Sequence, residues 1–195
     1  MGRGSLGTGK YLSFVRQGKP PRPMSFLFQT KRLRCRRWTR ADFNAVYAIY
    51  SDPVAMQWVG EGRPITREAC ETWFAVTEAN YQTRGYGMFA LDDPATGLMV
   101  GCCGLIHPGG QPEAEIKYAF LREHWAKGLA SEVVPALLQY GYEEHGLGRI
   151  IATVYPENLV SQRTLLKAGA RVVQHRTEDD GTATLVFERL ASSAA

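Results

Sequence analysis

Arg122-Glu123-His124-Trp125-Ala126-Lys127-Gly128-Leu129-Ala130 runs from the end of an apolar, strand-like stretch into the start of a long helical pattern. A strand, a turn and a helix in that order aim free backbone N–H groups at one spot, and the helix dipole adds partial positive charge there. Such a spot suits a pyrophosphate. The small residues Ala126, Gly128 and Ala130 let the backbone come close to an anion, which bulky side chains would prevent. Taken alone, the segment also fits an ordinary strand-to-helix connection, so the flanking sequence decides.

Residues 114–121 read as the preceding strand. The following helix carries Leu129, Val133, Leu137 and Tyr140 at helical spacing, is expected to bend at Pro135, and closes near Gly146. Residues 149–154 form a short buried strand in this reading, and Asn158 caps a helix that ends at Gly169. Two final strands, about 170–176 and 183–189, flank an Asp179-Asp180-Gly181 turn. Upstream, residues 31–38 read as a strand. Thr39 and Asp42 then form a capping box for a helix running to about Tyr50 and stopped by Asp52-Pro53. Thr66 caps a helix that directs Ala69, Trp73, Phe74 and Val76 to the core. Residues 86–91 and 98–106 pair as a hairpin around Asp92-Asp93-Pro94-Ala95-Thr96-Gly97. The expected architecture is a single mixed α/β (α+β) domain on one twisted, mostly antiparallel sheet, with a crossover helix joining the strands near 118 and 151.

Composition narrows the function classes. A chain of 195 residues with 45% hydrophobic side chains can bury a real core, which excludes disorder as its main state. No apolar run approaches the roughly 18 residues of a membrane helix, and the start has no secretory-signal pattern, so a cytoplasmic protein without membrane contact is expected. Residues 1–23 hold five basic side chains (Arg3, Lys10, Arg16, Lys19 and Arg22) and no acid, which leaves the rest of a +4 chain one unit negative. They read as a flexible basic extension, and residues 24–195 as the domain. The near-neutral domain argues against nucleic acid as a partner, and the cluster Lys31, Arg32, Arg34, Arg36, Arg37 and Arg40 reads as a solvated strand face. Gly2, Gly4 and Gly7 match GxGxxG by spacing, and Gly4 to Lys10 nearly matches GxxxxGK. Neither has a preceding strand to aim it, and Tyr11 stands where a magnesium-binding hydroxyl belongs. Cys35, Cys70, Cys102 and Cys103 contain no CxxC pair, and His107, His124, His145 and His175 are scattered, so reduced core thiols and no metal are expected.

The loop gains meaning beside Pro156-Glu157-Asn158-Leu159-Val160-Ser161-Gln162-Arg163-Thr164-Leu165-Leu166-Lys167-Ala168-Gly169-Ala170. Together they resemble the GNAT superfamily of acetyl-CoA-dependent N-acyltransferases, in which W-x-x-G-x-A is a branch variant of the Q/R-x-x-G-x-G/A loop. The nearest branch by pattern is the RimJ/RimL-like ribosomal-protein N-acetyltransferases. Its T-x-R-L opening is matched by Thr30-Lys31-Arg32-Leu33 and its S-D-P helix end by Ser51-Asp52-Pro53. Its G-x-x-G-L strand is matched by Gly101-Cys102-Cys103-Gly104-Leu105, and its E-I-G-Y strand by Glu115-Ile116-Lys117-Tyr118. Lys117 replaces the usual glycine of the last motif, Ala126 replaces the first loop glycine, and Leu165 stands where many relatives carry the tyrosine that protonates the leaving thiolate.

The resemblance implies a splayed parallel strand pair at the acyl-CoA site and acetyl-CoA as cosubstrate. It also implies an amine acceptor, either a small molecule or a peptide or protein N-terminus, with a homodimer left open. A bulge at Phe120 and Leu121 would offer N–H groups to pantetheine and the thioester, and Arg122 would begin the phosphate loop. Amides at Ala126, Lys127, Gly128, Leu129 and Ala130 would hold the pyrophosphate. Asn158 and Ser161 lie one helical turn apart and can both face the thioester end, although Asn158 is equally an N-cap and Ser161 equally a small packing residue. Glu115 is the candidate base and Ser161 the candidate thiolate partner, with a Glu115–Lys117 ion pair as the competing reading. Trp58, Glu61 and Arg63 fall in the connection that would wall the acceptor site. A non-catalytic acyl-CoA-binding module is the alternative function.

Overall fold

The computed structural model describes residues 25–59, 62–177 and 181–191. Eight strands, β1 (Phe28–Gln29), β2 (Arg34–Arg37), β3 (Met88–Asp92), β4 (Met99–Ile106), β5 (Ala114–Phe120), β6 (Arg149–Val154), β7 (Arg171–Thr177) and β8 (Ala183–Leu190), make one sheet in the order β1-β2-β3-β4-β5-β6-β8-β7. Only β5 and β6 are parallel. A parallel pair needs a crossover, and α4 (Ala130–His145) supplies it. The remaining helices are α1 (Phe43–Tyr50), α2 (Pro53–Met56), α3 (Arg67–Thr83) and α5 (Leu159–Lys167).

Local chemistry explains the ends of these elements. Thr39 and Asp42 form the expected capping box, although the first turn is 3-10 before α1 begins. Thr66 Oγ1 accepts the Ala69 N–H at the start of α3, Asn158 Oδ1 accepts the Ser161 N–H at the start of α5, and Gly146 ends α4 in the left-handed region at φ 62°. Two details correct the sequence reading. Asp52-Pro53 not only stops α1 but also starts α2, with Asp52 accepting from the amides of Val54 and Ala55. Along α3 the buried face is Cys70, Phe74, Thr77 and Tyr81, whereas Val76 is 53% exposed. The turn at Asp179 and Asp180 lies outside the described residues.

The sheet separates two apolar layers. Leu33, Cys35, Phe89, Cys103 and Leu105 pack with Val133 and Leu137 of α4, while Ala90, Met99 and Cys102 pack with α1 and α3 through Val46, Ile49 and Phe74. Cys102 and Cys103 point to opposite faces, as adjacent strand residues must. The Tyr50 hydroxyl is 3.1 Å from Cys102 Sγ, and Cys103 Sγ is 3.9 Å from Cys35 Sγ. All four cysteines are free and buried, and burial pushes the Cys102 thiol up to about 12. Gly101 is required by contact: a β-carbon there would stand 2.5 Å from the Phe120 ring. Among the described residues, no helix is long and apolar enough to cross a membrane.

Candidate active site

β5 and β6 pair only at Ala114 with Ile150 and at Glu115 with Ile151. Beyond those two pairs both strands continue, to Phe120 and Val154, with no register between them. The gap opens where the Glu115 side chain takes over the role of a backbone partner: its Oε1 accepts the Thr153 N–H of β6 at 3.1 Å. A strand pair wedged apart by a side chain leaves amides on its inner edges without ladder partners, which is what an extended ligand arm requires.

The register of β4 with β5 is unbroken from Glu115 to Phe120, so the expected bulge is absent. The Leu121 amide donates to the Val100 carbonyl at 3.0 Å and is therefore committed to β4. Alternation then turns the amides of Phe120 and Tyr118 the other way, toward the gap. Of the two amides expected at this strand end, Phe120 N–H therefore faces the gap and Leu121 N–H does not.

Past β5 the chain makes a 3-10 turn, Arg122–His124, and reaches the loop. Ala126 sits at φ 56° and Gly128 at φ 73°. Both lie in the left-handed region, which glycine adopts freely at 128 and which a residue with a β-carbon, such as Ala126, rarely adopts. Among the described residues, the five consecutive amides of Ala126, Lys127, Gly128, Leu129 and Ala130 donate to no protein group. Residues 126–128 are exposed, Ala130 is half-buried and Leu129 is buried, and the run leads directly into a 16-residue helix. That cradle fits a diphosphate through backbone donors and the helix dipole. The side chain of Arg122 is occupied, forming a two-pronged ion pair with Asp52 that holds the Asp52 carboxyl below its usual range.

A cavity of about 750 Å³ spans the gap. On one side it meets Tyr118, Ala152, Val154, Asn158, Ser161 and Leu165, and on the other Trp38, Tyr50, Trp58, Trp73, Met88 and Ile106. Tyr118 Oη and Ser161 Oγ are hydrogen-bonded at 2.8 Å, joining the strand to α5. Burial raises the Tyr118 phenol, and the Ser161 bond only partly offsets this. Leu165 is 1% exposed and meets the cavity with an aliphatic side chain that carries no proton to give.

Glu115 is 3% exposed. Besides Thr153, its carboxylate accepts from Lys117 Nζ at 2.5 Å and from Gln111 Nε2 at 3.4 Å. Lys117, not Glu115, lines the cavity, so the ammonium stands between the carboxylate and the open space. Trp58 lies on the cavity wall, its ring inclined at 62° to that of Tyr155. Arg63 is exposed and is not a lining residue, and Glu61 lies outside the described residues. Trp73 packs against the core as its spacing indicates and also lines the cavity, while Trp38, Met88 and Ile106 carry no sequence signal of a binding surface. A tryptophan that lines a cavity and one that fills a core share the same helical spacing.

Comparison with known proteins agrees with this geometry. The sequence profile of the family described as "Acetyltransferase (GNAT) domain" matches residues 32–171. YoaA of Bacillus subtilis, called an uncharacterized N-acetyltransferase, is 32% identical over 145 residues, covering 73% of this chain and 81% of its own. A GNAT-family acetyltransferase from Bacillus anthracis superposes with a TM-score of 0.69 at 27% identity, over 83% of this chain and 96% of that one. The ribosomal-protein α-N-acetyltransferase RimL, solved with coenzyme A, shares the fold with a TM-score of 0.71 at 15% identity, over 85% and 98%. With the open loop, the splayed strands and a profile match over most of its length, the chain belongs to the GNAT acetyltransferase family.

Proposed function

We propose that this enzyme transfers an acetyl group from acetyl-CoA to a primary amine, by direct attack while both substrates are bound. The observation that carries the reading is the run of five unpartnered amides at 126–130, ending beside a gap in the sheet. In this reading the amides hold the diphosphate. The Phe120 and Tyr118 N–H groups face the pantetheine arm and the thioester oxygen, where preorganised donors stabilise developing negative charge. The amine nitrogen forms its bond to the carbonyl carbon as the carbon–sulfur bond breaks. Glu115 receives a proton either through a water or from the Lys117 ammonium, which then takes the amine's proton in its place, and Ser161, held by Tyr118, donates to the departing thiolate. Asn158 shapes this end as the cap of α5.

The acceptor side supports an amine on a small apolar body or a peptide N-terminus. Its walls are aromatic, and Lys117 is the charged side chain among the described residues that line it, apart from what His107 can carry. A second reading, a non-catalytic acyl-CoA-binding module, is favoured only by the leucine at 165. Screening a panel of aryl-alkyl amines, peptides with free N-termini and polyamines, with thiol release from acetyl-CoA as readout, decides between them. Turnover with any amine supports the enzyme. Tight CoA binding with no thiol release across the panel supports the binding module.

A further inference from the structure

Arg32 belongs by sequence to a basic cluster on a strand, but the structure gives it a different setting. It lies in the turn between β1 and β2, where the Thr30 amide donates to the Leu33 carbonyl and Thr30 Oγ1 accepts the Leu33 N–H at 3.1 Å. Glu132, in the first turn of α4, locks this turn. Its carboxylate accepts from Thr30 Oγ1 at 2.9 Å, from the Arg32 amide at 3.2 Å and from Arg32 Nε at 2.6 Å. Burial works against the charged form of Glu132, yet the bonds from Arg32 and Thr30 win and hold its carboxyl below the usual range. The guanidinium also reaches the open loop: Nη1 donates to the Lys127 carbonyl at 2.8 Å.

In a trans peptide the C=O and the following N–H point in opposite directions. Holding the Lys127 carbonyl toward Arg32 therefore turns the Gly128 N–H away from Arg32, out of the loop's other side. The Nη2 group lies 3.6 Å from where a β-carbon on Gly128 would stand, so the guanidinium backs this same peptide. Gly128 itself is exposed at φ 73°, and its carbonyl accepts the Ser131 N–H at 3.2 Å, which ties the other side of the residue to the first turn of α4.

We propose that Arg32 is a positioning residue for the diphosphate: fixed by Glu132 and Thr30, it orients the Lys127–Gly128 peptide so that the Gly128 N–H is preset for the anion. This rests on the acetyl-CoA reading above and adds a residue that contacts the loop from behind. Its charge is balanced by Glu132, which suits an orienting role better than a direct ion pair to phosphate. Preorganisation of this kind shows in cosubstrate affinity, because an amide that must be ordered on binding lowers it.

The test uses the full chain, with CoA binding measured by calorimetry and steady-state rates with an acceptor found in the panel. Arg32→Ala should weaken CoA binding and raise the KM for acetyl-CoA about tenfold, the worth of one charge-assisted hydrogen bond, with kcat at saturation within about twofold. Arg32→Lys, which can reach the Lys127 carbonyl or Glu132 but not both in the same geometry, should fall between. The ratio of variant to wild-type dissociation constants should hold from low to high salt. A ratio that collapses at high salt would mean that Arg32 touches phosphate directly, and would overturn the positioning role. Unchanged affinity in Arg32→Ala, or a loss confined to kcat, would overturn it as well. Failure of the wild-type protein to bind CoA would instead overturn the functional reading on which the proposal stands.

Discussion

Replacing Glu115 by glutamine separates two roles that the structure places on one carboxylate. The side chain is 3% exposed, and all three of its partners are donors: Lys117 Nζ at 2.5 Å, the Thr153 N–H at 3.1 Å and Gln111 Nε2 at 3.4 Å. Glutamine keeps the shape and one carbonyl oxygen, so the Thr153 amide at the apex of the strand gap can stay bonded. Its NH2 must then face a donor, and the ion pair is lost. A fully buried pair broken in this way costs about 3–5 kcal/mol, but the Lys117 side chain is 31% exposed and can turn to water, so about 1–2 kcal/mol is expected. If Glu115 also takes the amine proton, kcat should fall roughly tenfold to a thousandfold while CoA affinity stays put. The pH–rate profile should then lose the limb that reports the base, because the proton-accepting form is no longer available at any pH. Chemical denaturation reads the first number, and rates across pH read the second. A folded Glu115→Gln variant with the wild-type kcat and pH profile would refute the base and leave Glu115 as the wedge that holds β5 and β6 apart.

Other perturbations address the loop, the core and the chain start. Gly128→Glu should reduce CoA binding by at least tenfold in calorimetry, since it places a β-carbon at φ 73° and a like charge beside the diphosphate. Arg36→Met should destabilise by about 3–5 kcal/mol near neutral pH, because Arg36 bonds both Asp42 and Asp92 among side chains no more than 10% exposed. Asp42 is held below its usual range, the Arg36 and Thr39 bonds outweighing burial. Its contribution is therefore full above the unfolded carboxylate value and is lost as pH falls through the folded one, so the gap between wild type and variant in urea melts should narrow in acid. A chain beginning at Met24 should melt within a few degrees of the full chain, since residues 1–23 carry no periodic apolar set; a large loss would show that they support the domain.

What could be read in the sequence was what depends on neighbours along the chain. The caps at Thr66 and Asn158, the glycine end at Gly146 and the small residues at 126 and 128 are local devices, and each stands where its spacing indicated. The opposed faces of Cys102 and Cys103 follow from the pleat alone. Elements without a local signal escaped: β1 has two residues and α2 has four, too few for any period to show. The missing bulge is another kind of failure, because a bulge is a property of two paired strands, and the Leu121–Val100 bond that settles it joins residues from both.

The same distinction accounts for the site. The loop's own amides could be anticipated, but what holds them could not. Arg32 meets Glu132 and Lys127 across about a hundred residues, and Asp52 meets Arg122 across seventy. Both partners sit inside motifs, T-x-R-L and S-D-P, whose pattern says nothing about where their side chains go. In the structure the two motifs grip the loop from opposite ends: Asp52 at Arg122, where the strand is left, and Arg32 at Lys127, just before the helix begins. Asp52 is also the cap of α2, whose neighbouring residues lead to Trp58 on the cavity wall. A shift of α2 would therefore carry Asp52 and, through Arg122, the start of the 122–130 loop. The ion pair is exposed on the Arg122 side and adds little stability. Its physical effect is to link the start of α2, next to the cavity wall, to the turn that follows β5, joining segments seventy residues apart.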